Sequence, residues 1–266
     1  MLNPEASPRL RLRVCAVSYL NSVPLVWGML HGAERGLFEL QFAVPSECAE
    51  RLASGAAEIG LAPSIELARQ PLELIPGAGV ASCGRVRSIL LVSKVEPRSI
   101  QTLAADASSR TSVVLAQVVL LRRYGVSPRL QSLPPDLDAM LEGADAAVLI
   151  GDPALRLNLD ALPYRVLDLG QEWTEMTGLP MVFAVWACRE KSLAPALAPA
   201  FLSSCRFGLA QLEDIVLREA PRRGLCEDLV RDYLSRRIVH LHGEREYEGL
   251  RLFLEHAREL EAHAQA

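Results

Sequence analysis

The chain alternates short apolar, β-rich runs with helical runs, and it puts turn chemistry where each run ends. That rhythm predicts an α/β fold with parallel strands, because parallel neighbours need a crossover helix between them. Strands are expected at 10–17, 40–44, 59–62, 86–92, 146–150 and 182–187. Helices are expected at 24–30, from Ser46 to Gly55, after Pro63-Ser64, at 111–124 and at 136–141. Ser46 reads as a cap with Glu47 and Glu50 in the first turn, where acid suits the helix dipole. From about Pro195 the chain reads as mostly helical, and Tyr247, Leu250, Leu254 and Ala257 repeat at helical period. Between the two halves, Ser93, Lys94, Glu96, Pro97 and Arg98 read as a crossing.

One echo divides the chain further. Leu52-Ala53-Ser54-Gly55 leading into Ile59 resembles Leu141-Glu142-Gly143 leading into Val148. Each is a helix end, a glycine, a small residue and a buried strand, followed by Ala62-Pro63 or Asp152-Pro153. Two α/β lobes on one plan are expected, with lobe 1 at 1–92 plus 188–266 and lobe 2 at 93–187. A cleft between such lobes suits a small molecule.

With 266 residues, half of them apolar, the chain can bury a substantial core. A net charge of −4 and no dense Lys/Arg stretch argue against a nucleic-acid partner. Cys15, Cys48, Cys83, Cys188, Cys205 and Cys226 form no CxxC pair and read as separate thiols, not a disulfide or zinc framework. Residues 1–13 show no signal core, and no run approaches the roughly 18 apolar residues that span a bilayer. A cytoplasmic chain without a membrane partner is the expectation. The sequence does not set an oligomeric state.

Four polar clusters fall at strand ends or edges, where open α/β folds bind ligands. Ser18-Tyr19-Leu20-Asn21-Ser22-Val23-Pro24 follows the first strand. Asn21 and Ser22 suit helix capping, and Pro24 suits a first helical turn. Ser88 begins the apolar run 89–92 after Ser82-Cys83-Gly84-Arg85. Ser108-Ser109-Arg110-Thr111-Ser112 opens a long helix, and Gly151-Asp152-Pro153 follows the strand 146–150. Capping needs one hydroxyl, so the surplus in Ser109, Thr111 and Ser112 points to an anion at the helix N-terminus. No Walker loop, GxGxxG or GxSxG occurs. His31, His240, His242, His256 and His263 supply no strand-end ligand. His240-x-His242 reads as a surface pair near a turn, not a metal site. Amides, hydroxyls and backbone dipoles suit positioning and charge stabilisation.

These residues carry a family pattern. Tyr19-Leu20-Asn21-x-x-Pro24-Leu25, Gly84-x-Val86-x-Ser88, Ser109-Arg110-Thr111-Ser112, Ala144-Asp145-Ala146 through Asp152, and Trp173-Thr174 through Trp186 occur in order. Over residues 10–190 the chain resembles the chorismate dehydratases of the futalosine route to menaquinone. The resemblance implies a two-lobed fold of the type II periplasmic-binding-protein kind with the ligand between lobes. It implies conversion of chorismate to 3-[(1-carboxyvinyl)oxy]benzoate by loss of water, with no metal or organic cofactor. It implies catalytic roles for Asn21 and Ser88, with Tyr19, Ser109, Thr111, Ser112, Gly151 and Asp152 at the substrate. Two other readings stand beside it. One is a non-catalytic cytoplasmic binder of small carboxylates on the same fold. The other is the sister enzyme of the pathway, which acts on a cyclic futalosine derivative and is expected to use a cleft histidine.

Overall fold

The computed structural model describes residues 11–265, with side chains as far as residue 262. The start of the first expected strand and most of the segment read for a signal core lie outside them. In chain order the elements are β1 (Arg13–Val17), α1 (Val23–His31), β2 (Glu39–Ala43), α2 (Pro45–Ser54), β3 (Ile59–Pro63), α3 (Glu66–Arg69) and β4 (Glu73–Ser82). There follow β5 (Ile89–Ser93), β6 (Thr102–Asp106), α4 (Thr111–Val119), β7 (Arg129–Leu133), α5 (Leu137–Gly143), β8 (Ala146–Ile150), α6 (Gly151–Leu155), β9 (Arg165–Asp168) and α7 (Leu169–Thr177). The chain closes with β10 (Met181–Cys188), α8 (Leu193–Ala210), α9 (Leu212–Arg223), α10 (Glu227–Asp232), β11 (Val239–Leu241) and α11 (Glu244–Gln265).

Two sheets carry the fold. The first runs β11-β4-β10-β3-β1-β2 and the second β9-β5-β8-β6-β7. β1 pairs parallel with β2 and β3, and β6 pairs parallel with β7 and β8. β10 lies antiparallel between β3 and β4, as β5 does between β8 and β9. The echoed segments are α2–β3 and α5–β8, which hold equivalent places in the two sheets. β3, β5 and β8 are buried at every residue. That is how strands covered on both faces read.

The antiparallel strands correct the expected lobe boundaries. β5 belongs to the second sheet and β10 to the first. By sheet membership the chain crosses between Ser82 and Ile89, and returns between Asp168 and Met181. The segment after Ser93 is a turn with a short 3-10 helix at Pro97–Ser99, not the crossing. The second expected helix begins one residue early, with Pro45 in its first turn and no side-chain cap from Ser46. The helix expected at 111–124 is α4 followed by a π-helical segment, Leu120–Tyr124, closed by Gly125 at φ +72°.

One further expectation fails. α8 spans 18 residues at mean hydropathy 1.3, so a stretch of membrane-spanning length and apolarity does occur. Its apolar face packs on α1 and β4. Gly208 lets it approach so closely that an added Cβ would stand 2.1 Å from the Pro24 carbonyl oxygen.

Candidate functional site

The carboxyl ends of β1, β3, β6 and β8 converge on one cleft between the sheets. Its empty space, including the part open to solvent, is about 450 Å³, and it is lined from one side by Tyr19 and Asn21, from the other by the start of α4 and Gly151. Six of the eight expected site residues line it: Tyr19, Asn21, Ser109, Thr111, Ser112 and Gly151.

Asn21 sits in a single 3-10 turn, Leu20–Ser22, ahead of α1. Neither it nor Ser22 caps that helix through its side chain. The polar groups are therefore spent elsewhere. Ser22 Oγ donates to Asn21 Oδ1 at 3.2 Å, which fixes the amide so that its NH2 group remains available. The Asn21 carbonyl receives a hydrogen bond from His240 Nε2 at 2.9 Å. A carbonyl only accepts, so Nε2 carries the proton.

Tyr19 reaches across to the second lobe. Its hydroxyl lies 2.8 Å from Ser108 Oγ, which itself donates to Asp106 Oδ1 at 2.6 Å. Because the Ser108 proton is committed to the carboxylate, the Tyr19 proton fills the first bond. The Tyr19 oxygen is left as an acceptor. Burial pushes the Tyr19 phenol up to about 12, partly offset by Ser108. Asp106 is likewise raised by burial, and the hydrogen bonds from Ser108 and Ile150 oppose that rise. Gly151 lies against the Tyr19 ring at φ +62°, and a Cβ there would stand 2.5 Å from the ring.

At the start of α4 no side chain caps the helix. Its first-turn N–H groups have no intrahelical partner and carry the positive end of the dipole. Thr111 Oγ1 accepts from Ile65 N at 3.3 Å and lies 3.4 Å from Ser64 Oγ. The Arg110 guanidinium turns to Glu50 at 3.0 Å and Glu66 at 3.2 Å, so it ties α4 to α2 and α3.

Two expected residues stand off the cavity wall. Ser88 is fully buried, and its Oγ accepts from the Tyr233 hydroxyl at 2.7 Å. Its neighbour Ile89 takes the lining position. Asp152 accepts from Leu20 N at 2.9 Å and pairs with Arg223, so it fastens the lobes instead of facing a ligand. The pair read as a surface His240-x-His242 is buried: His240 sits on β11 and His242 in the turn just after it. Burial lowers both imidazoles to about 4. Among the described residues no group of three or more His, Cys, Asp or Glu is placed to hold a metal ion. Sequence reasoning missed Ser64, Asp106, Tyr233, His240 and Arg223 as parts of this region. Only Ser64 carried a usable signal, since it follows the third strand as Asn21 follows the first.

Among solved structures, a crystal structure of an Archaeoglobus fulgidus protein superposes with TM-score 0.76 at 17% identity, covering 96% of this chain and all of that one. The periplasmic aliphatic sulphonate binding protein of Escherichia coli superposes at 0.65 with 18% identity, covering 98% of this chain and 89% of its own. These likenesses establish the periplasmic-binding-protein fold. Among curated proteins, the chorismate dehydratase of Thermus thermophilus is 33% identical over 236 residues, 82% of this chain and 86% of its own. That of Campylobacter jejuni is 28% identical over 92% of this chain and 96% of its own. The sequence profile described as menaquinone biosynthesis matches residues 12–259. The chain therefore belongs to the menaquinone biosynthesis family.

Proposed function

We propose that the protein is a hydro-lyase that removes water from chorismate to give 3-[(1-carboxyvinyl)oxy]benzoate. The observation that carries this reading is the convergence, in one small cleft, of an oriented neutral amide with an uncapped helix N-terminus rich in hydroxyls. Chorismate carries two carboxylates. The N–H groups at the start of α4, with Ser109, Thr111 and Ser112, suit one of them. The NH2 group of Asn21 suits the other.

Elimination takes the proton from ring carbon C3 and the hydroxyl from C4. The C3–H electrons form the new ring double bond, and the departing hydroxyl leaves as water. A neutral amide is a poor base, so the proton goes to the substrate's own enolpyruvyl carboxylate, held by Asn21. That carboxylate passes it to the departing hydroxide; water leaves and the carboxylate is regenerated. Tyr19, fixed by Ser108, offers an acceptor to the ring hydroxyl and so orders the leaving group. Ser88, behind the wall, accepts from Tyr233 and bears on Asn21 only through that hydroxyl. Closure of the lobes holds the reactive conformer and keeps bulk water out.

The test is incubation with chorismate, followed by ultraviolet absorbance and product mass. The expected product is lighter by one water and aromatic. Absence of product overturns the reading, and tight chorismate binding without turnover favours a small-carboxylate binder on this fold.

A further inference from the structure

The C-terminal segment reaches under the site at two points, Ser88 and the Asn21 turn. From the π-helical segment Tyr233–Arg237, the Tyr233 hydroxyl donates to Ser88 Oγ at 2.7 Å. From β11, His240 Nε2 donates to the Asn21 carbonyl at 2.9 Å. Tyr233 is 1% exposed and His240 3%. Neither lines the cavity. Burial raises the Tyr233 phenol, and the Ser88 and Asn21 side chains pull it back, so the Asn21 amide also bears on that oxygen. The array has a defined direction. Tyr233 gives its proton to Ser88, and Ser22 gives its own to Asn21 Oδ1. The second N–H of the Asn21 amide and the Ser88 hydroxyl proton are the donors left over. The main chain of Asn21 is held separately by a neutral imidazole.

We infer that Tyr233 and His240 are positioning residues, which set the rotation and height of the Asn21 amide for the reaction proposed above. The inference rests on that functional reading and extends it. The segment that supplies them does more than complete the first lobe. It forms the floor on which the reacting end of the cleft is set. A group that only orients another is needed most where the geometry is tightest, in the transition state. Its loss therefore lowers kcat more than it raises KM.

The test uses Tyr233→Phe, His240→Leu and His240→Gln in the full chain, assayed with chorismate well below each melting midpoint. Tyr233→Phe keeps the ring and removes the hydroxyl. His240→Gln keeps an N–H donor near the position of Nε2, and His240→Leu removes it. Tyr233→Phe and His240→Leu are each expected to lower kcat about tenfold with KM within about twofold, the loss expected for a buried hydrogen bond acting on the transition state. His240→Gln is expected to restore most of the turnover lost in His240→Leu. Wild-type kcat in both deletion variants overturns the inference. So does a loss that Gln does not rescue, or one that disappears on cooling in step with the melting curve, since a merely structural role behaves that way. If the wild-type chain itself makes no product, the functional reading falls and this inference falls with it.

Discussion

Asn21 has every neighbour needed to hold its amide and none that can make it a base. Ser22 holds Oδ1, His240 holds the main-chain carbonyl, and the side chain faces the cavity. Asn21→Asp keeps the shape but sets a negative charge beside a doubly charged ligand. Turnover is expected to fall at least about a hundredfold, as when a transition-state donor is lost. Binding of the aromatic product, followed by calorimetry, should weaken less. Near-normal kcat in this variant removes the role given to Asn21. Gly151 is constrained twice, by φ +62° and by the Tyr19 ring against it. Gly151→Ala is expected to cost about 1–3 kcal/mol in urea unfolding and to raise KM, because either the turn or Tyr19 must move. At this scale the sequence was legible where the chemistry is local. A hydroxyl-rich strand end marks itself within a few residues. The partners that give those hydroxyls direction do not, since Tyr233 lies 145 residues from Ser88 and His240 lies 219 from Asn21.

Among the elements, strands with an unbroken apolar run announced themselves, while the inner strands β4 and β6 and the strands β7, β9 and β11 did not. β8 is apolar throughout, and its bounds follow from its composition. β7 is exposed at four of five positions and carries Arg129, Gln131 and Ser132, so no apolar pattern marks it. β4 contains Pro76, Gly77 and Gly79, which speak against a strand. Gly79 is nonetheless needed there, because a Cβ would stand 2.5 Å from the His242 ring. β11 is three residues long, yet it carries His240 and leads directly into His242. This short strand and the turn after it have a pH signature. Burial depresses both imidazoles to about 4 from the ordinary 6.5. Above 6.5 neither the folded nor the unfolded chain protonates them. As pH falls from 6.5 towards 4, the unfolded chain takes up protons and the folded chain does not, so stability declines through that window and these groups add no further loss below it. His242→Gln removes one such group. Its loss of unfolding free energy between pH 7 and pH 5 is expected to be smaller than that of the wild type, whatever its stability at pH 7. An equal or steeper decline in the variant, measured by urea titration at both pH values, contradicts the assignment.

Across the whole molecule, the matched pairing of the two sheets brings four strand ends face to face, and polar contacts then hold the lobes together. Ser46 N donates to Ser108 O at 3.0 Å, Tyr19 meets Ser108, and Arg110 joins Glu50 and Glu66. At the rim Asp152 accepts from Leu20 N, and Arg223 on α9 bonds Asp152, Glu219 and the Ser18 carbonyl at once. This latch is largely shielded, with side-chain exposures of 15% for Arg223 and 9% for Asp152. Such pairs lose more when one partner is removed than an exposed pair does, since the other charge stays buried. It joins the turn that carries Asn21 to the helix that begins at Gly151, so it acts on closure of the cleft and not on the chemistry within it. Arg223→Met keeps the aliphatic stem and removes the charge. Loss of a charge-assisted hydrogen bond is worth roughly 1.5–3 kcal/mol, and if most of that falls on the closed arrangement, KM should rise by about tenfold or more with kcat at saturation changed far less. Small-angle scattering should show a larger radius of gyration for the free variant than for the wild type, and the two should converge when product fills the cleft. A variant with unchanged scattering and a fall confined to kcat would show that Arg223 serves the reacting groups rather than the closure of the lobes.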